Sequence, residues 1–282
     1  MPEYKAMMPK SPRKSPGLWR WIASLGFLAV MFAAVTWVAA LSRLEPRVSP
    51  PANPETIVST DIGERGSVEL SDGTKLVLNT NSRVRASRSS RKVVVERGEV
   101  IADVPPPSAA REYSDIPVVF GVADVDVEAP PAAQLRIRLD DEGVVRVDVL
   151  AGESVLRPMS PKQMIELLVG QTALIKPGDV VVVTEFEPSR MQRELSWQEG
   201  EVWLKGETIQ EAIAEFNRYN RQKLIVLDER LARRRVGGRF ETTDVEGFVG
   251  ALQHLYGVRV LSVRSGGKGA STLLLLPSEQ DA

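Results

Sequence analysis

Few residues in this chain could make or break a bond. The 282-residue sequence has no Cys and a single His. That rules out disulfides, thiol catalysis, thiolate metal sites and any multi-His metal centre. His254 stands between Gln253 and Leu255 in a helical pattern. A Ser-His or His-carboxylate site needs its His in a cleft beside its partners, so His254 reads as a surface or core residue. Asp140-Asp141-Glu142 could be taken for a calcium loop. The EF-hand pattern is missing, and adjacent acids at a hairpin tip form turns. Ser265-Gly266-Gly267-Lys268-Gly269 superficially looks like a phosphate loop. Its Lys is followed by Gly rather than Ser or Thr, and a strand pattern follows rather than a helix. Arg233-Arg234-Arg235 reads as a solvated face or a partner contact. No catalytic, cofactor or metal site emerges, and no enzyme is expected. The formal net charge of −1 supplies no basic face for nucleic acid.

The elements around these residues begin with an uncharged apolar stretch at 21–42. A helix of that length spans about 33 Å, enough for a bilayer core of about 30 Å. Trp19, Trp21 and Trp37 lie toward its ends, where indoles favour the headgroup zone. Lys5, Lys10, Arg13, Lys14 and Arg20 precede it, against one acid, Glu3. Lys and Arg stay on the cytoplasmic side. The expectation is a single-pass inner-membrane protein: a basic cytoplasmic tail at 1–18, a transmembrane helix at 19–44, and the bulk in the periplasm. A cleaved signal peptide ending at Val38-Ala39-Ala40 is the rival, but the apolar run exceeds the 7–15 residues of a signal core. A lipoprotein is excluded because no Cys is available to acylate.

A Pro-rich spacer at 45–55 comes next, with Pro46, Pro50, Pro51 and Pro54. Residues 56–185 read as an all-β domain, a sandwich or β-solenoid-like fold. Val68 and Leu70 face Leu76 and Leu78 across Asp72-Gly73, a hairpin signal. One apolar face favours Leu70 opposite Leu76, with Gly73 left-handed. Arg97-Gly98 reads as a turn between two strands. A second hairpin pairs Leu135, Ile137 and Leu139 with Val145, Val147 and Val149, leaving Arg136, Arg138, Arg146 and Asp148 outward. The only helix expected here is 161–168. A connector follows at 186–199, helical from Ser189. Residues 200–276 then read as a small split α+β unit, with one sheet face covered by two helices. Its helices open on Thr208-Ile209-Gln210-Glu211 and Thr243-Asp244-Val245-Glu246, both capping boxes. The stripe of the second runs through Val245, Phe248, Val249, Leu252 and Leu255, and Gly257 stops it.

Three stretches together resemble the FecR family of transmembrane sigma-factor regulators. One runs Gly63-Glu64-Arg65 to Val68-Glu69-Leu70-Ser71-Asp72-Gly73-Thr74 and Leu78-Asn79-Thr80-Asn81-Ser82. Another is Val94-Val95-Glu96-Arg97-Gly98-Glu99-Val100. The third holds Glu215-Phe216-Asn217-Arg218-Tyr219-Asn220 and Val236-Gly237-Gly238-Arg239-Phe240. The last region is also similar to the short domain at the amino ends of secretins and TonB-dependent receptors. The resemblance implies an inner-membrane relay. The signalling domain of an outer-membrane TonB-dependent receptor contacts the periplasmic part, and the cytoplasmic end controls an extracytoplasmic-function (ECF) sigma factor. Two departures stand out. Family members usually carry a helical anti-sigma segment before the span, where this sequence has about 20 Pro-rich residues. The sigma-binding part would then lie on another chain or upstream, or direct contact would be missing. The usual Gly-Thr step before the central strand pair is replaced by Glu128-Ala129-Pro130-Pro131. Partner binding is expected on the exposed edge of the strand at 236–240, through Val236, Arg239 and Phe240, with burial of Phe240 in the core as an equal alternative. A structural envelope tether with no transcriptional role is the alternative.

Overall fold

The structure is a computed structural model that describes residues 55–87, 91–108, 114–159, 163–178, 181–264 and 271–278. The expected tail, membrane span and nearly all of the spacer lie outside the described residues. No helix among the described residues is long and apolar enough to cross a membrane. Asn53–Ala282 form one compact unit.

Thirteen strands make one hydrogen-bonded sheet. They are β1 Glu55–Ser59, β2 Gly66–Glu69, β3 Lys75–Leu78, β4 Arg83–Ser87, β5 Lys92–Asp103, β6 Val118–Val122, β7 Val125–Ala129, β8 Gln134–Leu139, β9 Val145–Ala151, β10 Glu153–Pro158, β11 Ile165–Leu168, β12 Gln171–Ile175 and β13 Val182–Glu185. Their alternating side chains explain the curl. Leu76, Leu78, Val95, Val100, Phe120, Val127, Leu135, Ile137, Val147 and Val149 all point into one buried core. Each fully buried Val, Leu or Phe contributes about 1.5–3 kcal/mol. Phe120→Ala would cost about 3–5 kcal/mol.

Strand β5 is where the sheet folds over. Lys92–Val95 pair with β4 and, in parallel, with β6, while Gly98–Asp103 pair with β3 and β8. Arg97-Gly98 is therefore no turn. Both residues continue a twelve-residue strand, and the bulge against β4 falls just before them, at Glu96, which the register skips between Val95 and Arg97. Gly98 has φ +83, and a Cβ there would lie 2.3 Å from Ser82 Oγ and 2.6 Å from Ser82 Cα. Only glycine meets both demands. One hydrogen-bonded sheet bent through β5, close to a barrel, thus forms the expected all-β domain.

The β8–β9 hairpin has the expected register, Leu135 to Val149, Ile137 to Val147 and Leu139 to Val145. Asp140 shapes its tip by accepting from the backbone N–H groups of Glu142 and Val144. The β2–β3 hairpin slips by two residues from expectation, so that Val68 faces Leu76. Leu70 and Thr74 close a loop of Ser71, Asp72 and Gly73, with Gly73 left-handed at φ 84. A slip of two preserves the apolar face, which is why alternation alone could not decide it. Within the expected helix at 161–168, residues 161 and 162 lie outside the described residues, and Ile165–Leu168 are instead strand β11, paired with β10. Glu128 and Ala129 end β7 as ordinary strand, and the two prolines lead into a turn at Ala132, φ 65.

After helix α1, Pro188–Glu194, and a 3-10 turn, Ser196–Glu199, the second texture begins. It comprises β14 Glu201–Thr208, α2 Ile209–Tyr219, β15 Lys223–Val226, α3 Glu229–Ala232, β16 Arg235–Glu241, α4 Val245–Tyr256, β17 Arg259–Arg264 and β18 Ser271–Leu276. The expected order holds except for the added short helix α3, and the strands form two sheets, β14–β16 and β15–β18–β17, rather than one. Helices α2 and α4 share a core in which Phe216 stacks on Phe248 at 4.2 Å, with Phe240 edge-on. The capping box of α2 is complete: Thr208 accepts from Glu211 N–H, and the Glu211 carboxylate accepts from Thr208 N–H. The cap of α4 is Asp244, one residue later than expected, accepting from Gly247 N–H. Leu255, assigned to the apolar stripe, is 55% exposed. Gly257 ends α4 in the left-handed conformation, as expected.

Candidate functional site

The strand predicted to receive a partner is β16. Among the described residues it pairs only with β14, from Glu201 opposite Glu241 to Thr208 opposite Arg235. Its other edge carries no strand among the described residues. The three residues singled out on it divide. Val236 is buried and belongs to the helix-covered core. Phe240 is half-buried against Phe216 and Phe248. Arg239 alone faces solvent, with its guanidinium 3.6 Å above the Trp203 ring. Stacked on an indole, that guanidinium is held in place yet keeps its donors free for a carboxylate. Gly237 and Gly238 are exposed beside it, and without side chains they leave the backbone approachable.

A second constellation, not foreseen from the sequence, lies where the outward face of β5, β8 and β9 meets α1, the 3-10 turn and α2. Arg136 and Asp148, expected to face solvent, are fully buried. Glu99 is buried with them, and its carboxylate is the hub. It accepts from Arg136 Nε at 2.6 Å, Trp197 Nε1 at 3.0 Å, Asn79 Nδ2 at 3.0 Å and the Arg218 guanidinium. Arg136 Nη1 also reaches Asp148 at 2.9 Å and Glu194 at 2.6 Å. Thr172 Oγ1 donates to Asp148 at 2.5 Å. Tyr219 OH accepts from Asn79 and donates to Glu215, both at 3.1 Å. Arg65 adds two bonds, from Nη1 to the carbonyls of Trp197 and Gln198.

Burial pushes the Glu99 carboxyl pKa upward, but Arg136, Arg218 and Arg138 outweigh it and hold it well below the carboxylate range. Burial likewise opposes the charge on Arg136, and Glu99, Asp148 and Glu194 more than restore it. Burial raises the Tyr219 phenol, with Glu215 adding to the effect. A buried ion pair offsets its desolvation only with good geometry and further hydrogen bonds, and the two Glu99 oxygens accept four. The sequence signal was faint: Glu99 directly precedes Val100 and Ile101, and Arg136 and Asp148 occupy alternate positions of a hairpin. Alternation shows which face a residue takes and is silent on what covers that face.

The residues weighed for chemistry remain apart. His254 is exposed in the last turn of α4. Arg233 pairs with Glu229, Arg234 lies over Tyr256, and Arg235 donates to Gly206 O, so this run is a solvated face with local partners. Among the described residues no three His, Cys, Asp or Glu side chains cluster as metal ligands.

The family model described as FecR protein matches residues 56–155. Two crystal structures of a candidate anti-sigma factor from Parabacteroides distasonis share the fold. The 1.65 Å structure is 19% identical, with a TM-score of 0.60, covering 79% of this chain and 100% of that one. The 2.50 Å structure is 20% identical, with a TM-score of 0.58, covering 80% and 100%. No curated protein matches the sequence.

Proposed function

We propose, from the premise that residues 56–155 are a FecR domain, that this chain regulates a sigma factor from the envelope. On this reading residues 19–44 cross the inner membrane once, the basic tail stays cytoplasmic, and the described residues work in the periplasm. The signalling domain of an outer-membrane TonB-dependent receptor adds a strand to the open edge of β16, beside Arg239. The relay ends on an ECF sigma factor, in contact with this chain or with another chain that it recruits. The observation that carries the reading is the FecR match joined to a strand paired on one side only. The anti-sigma description of the two structural neighbours is consistent with it.

The test is affinity purification of the full chain from membranes, with a transcription profile of a deletion strain. A copurifying sigma factor and a small altered promoter set are expected. A stable envelope complex with an unchanged profile would overturn regulation in favour of a tether. Point variants on β16 suit the receptor arm better than deleting 200–276. That deletion also removes Arg218 and Tyr219, and so strips partners from Glu99 and Asn79.

A further inference from the structure

A cavity of about 520 Å³ opens beside the buried network, where β8 and β9 face α1, β14 and α2. Its size is that of a small-molecule site, but its walls are ionic. Arg136, Arg138, Arg146, Arg193 and Arg218 all line it. Cationic side chains outnumber carboxylates around it, even with Glu99 and Asp148 beneath Arg136 counted in.

Four of these arginines have carboxylates of their own. Arg136 has Glu99, Asp148 and Glu194; Arg146 has Asp148 and Glu194; Arg193 has Glu207; Arg218 has Glu99 and Glu215. Arg138 is the exception. Its side chain makes no ion pair or hydrogen bond among the described residues. It is half-buried and stands in register opposite Arg146 on one side and Glu99 on the other. Glu99 is already committed to Arg136, Trp197, Asn79 and Arg218. Like charges directly opposite each other across a strand pair are unfavourable. Burial, Arg218 and Arg136 work against the Arg138 charge and together outweigh its attraction to Glu99 and Glu215. For folding alone, an uncharged residue would serve better at this position.

We propose that this cavity binds a small anion bearing two acidic groups, phosphate or carboxylate, with Arg138 as the anchor and Arg218 as the second cation. A planar guanidinium with unused donors matches such oxygens bidentately. The anion would be held from β8 on one side and α2 on the other. It would thereby join the FecR sheet to the helix that follows it, and this site is independent of the β16 edge.

The full chain in detergent is titrated calorimetrically with inorganic pyrophosphate and, separately, with succinate. Melting is followed in parallel, with sodium chloride at matched ionic strength as the control. The expected result is saturable one-site binding of at least one probe and a melting temperature raised above the salt control. The preferred probe identifies the acid type. In Arg138→Gln the dissociation constant rises by about tenfold or more, Arg138→Lys keeps part of the affinity, and Arg157→Gln on the exposed face of β10 changes nothing. Without probe, Arg138→Gln melts at or above the wild-type temperature, which a residue needed only for structure would not do. Absence of saturable binding by either probe, or equal binding by Arg138→Gln and wild type, would overturn the site.

Discussion

Trp197 Nε1 donates to Glu99 Oε1 at 3.0 Å, across 98 residues of sequence. The indole comes from the connector and the carboxylate from the strand that bends the large sheet. The bond seats the connector on the sheet, and Trp197 is among the largest fully buried side chains. Ile101 of the sheet joins Trp197, Phe216 and Phe248 in one hydrophobic cluster. The elements after residue 186 therefore pack onto the large sheet through apolar and ionic contacts together.

Replacing Glu99 tests that joint. In Glu99→Gln the shape remains and the charge goes, leaving Arg136 and Arg218 short of a buried counter-ion. Breaking a buried pair costs about 3–5 kcal/mol, and the lower end is expected because Asp148, Glu194 and Glu215 still serve the two arginines. Urea denaturation of the full chain should show the midpoint falling. An unchanged midpoint would mean that the network is energetically idle.

The same carboxylate sets an acid limb. Glu99 is depressed in the folded state, against about 4.3 for a free glutamate. A depressed carboxyl stabilises the fold above its unfolded pKa, and that contribution is lost as pH falls through the folded value. Glu194, also depressed because Arg136 and Arg146 overcome its burial, adds to the limb with the same sign. Melting temperature should hold from neutral pH to about 5 and then fall steadily toward strong acid. The decline should be shallower in Glu99→Gln, and identical slopes in the two proteins would assign the limb to other groups.

Gly98 is the hinge on which the sheet folds over. A side chain in the left-handed region costs about 1–2 kcal/mol on its own. At Gly98 it would also overlap Ser82 Cα at 2.6 Å and Asn81 O at 2.8 Å, both backbone atoms. Gly98→Ala should therefore lose more than about 2 kcal/mol. Ser82→Gly should not rescue it, since trimming that side chain leaves the backbone where it was. Thermal melts of the single and double variants check this, and full rescue would show the clash to be with Ser82 Oγ alone.

How much of this was legible in the sequence depends on the kind of signal. The β8–β9 register could be read because three apolar pairs and a turn agree on one answer. The α2 cap could be read because Thr208 and Glu211 are local to each other. Longer-range features were not legible. Val93-Val94-Val95 and Val100 look like two strands around Arg97-Gly98, and only the neighbours at Ser82 and β8 make them one. Arg136 and Asp148 have the types and spacing of a solvated face. What meets Arg136 from outside the sheet is Glu194 of α1, 58 residues downstream. For β16 the strand at 236–240 could be read from its own residues, whereas the inward turn of Val236 follows from packing on α2 and α4.

That division gives the last prediction. If the open edge of β16 receives a receptor domain, exposed and buried residues on it should separate binding from folding. Arg239→Glu leaves the core untouched and reverses the charge on β16 that follows Gly237 and Gly238. It should weaken binding of the signalling domain by about tenfold, with the melting temperature nearly unchanged. Phe240→Ala removes ring contacts to Phe216 and Phe248 at 5.9 and 5.4 Å. It should cost about 2–3 kcal/mol, less than for a fully buried ring, and affect binding only as far as the folded fraction falls. Calorimetry with the isolated signalling domain and melting of the same samples give both quantities. Were Arg239→Glu to bind as wild type while Phe240→Ala, fully folded at the assay temperature, lost binding, the contact would lie on the ring-bearing face and not along the edge.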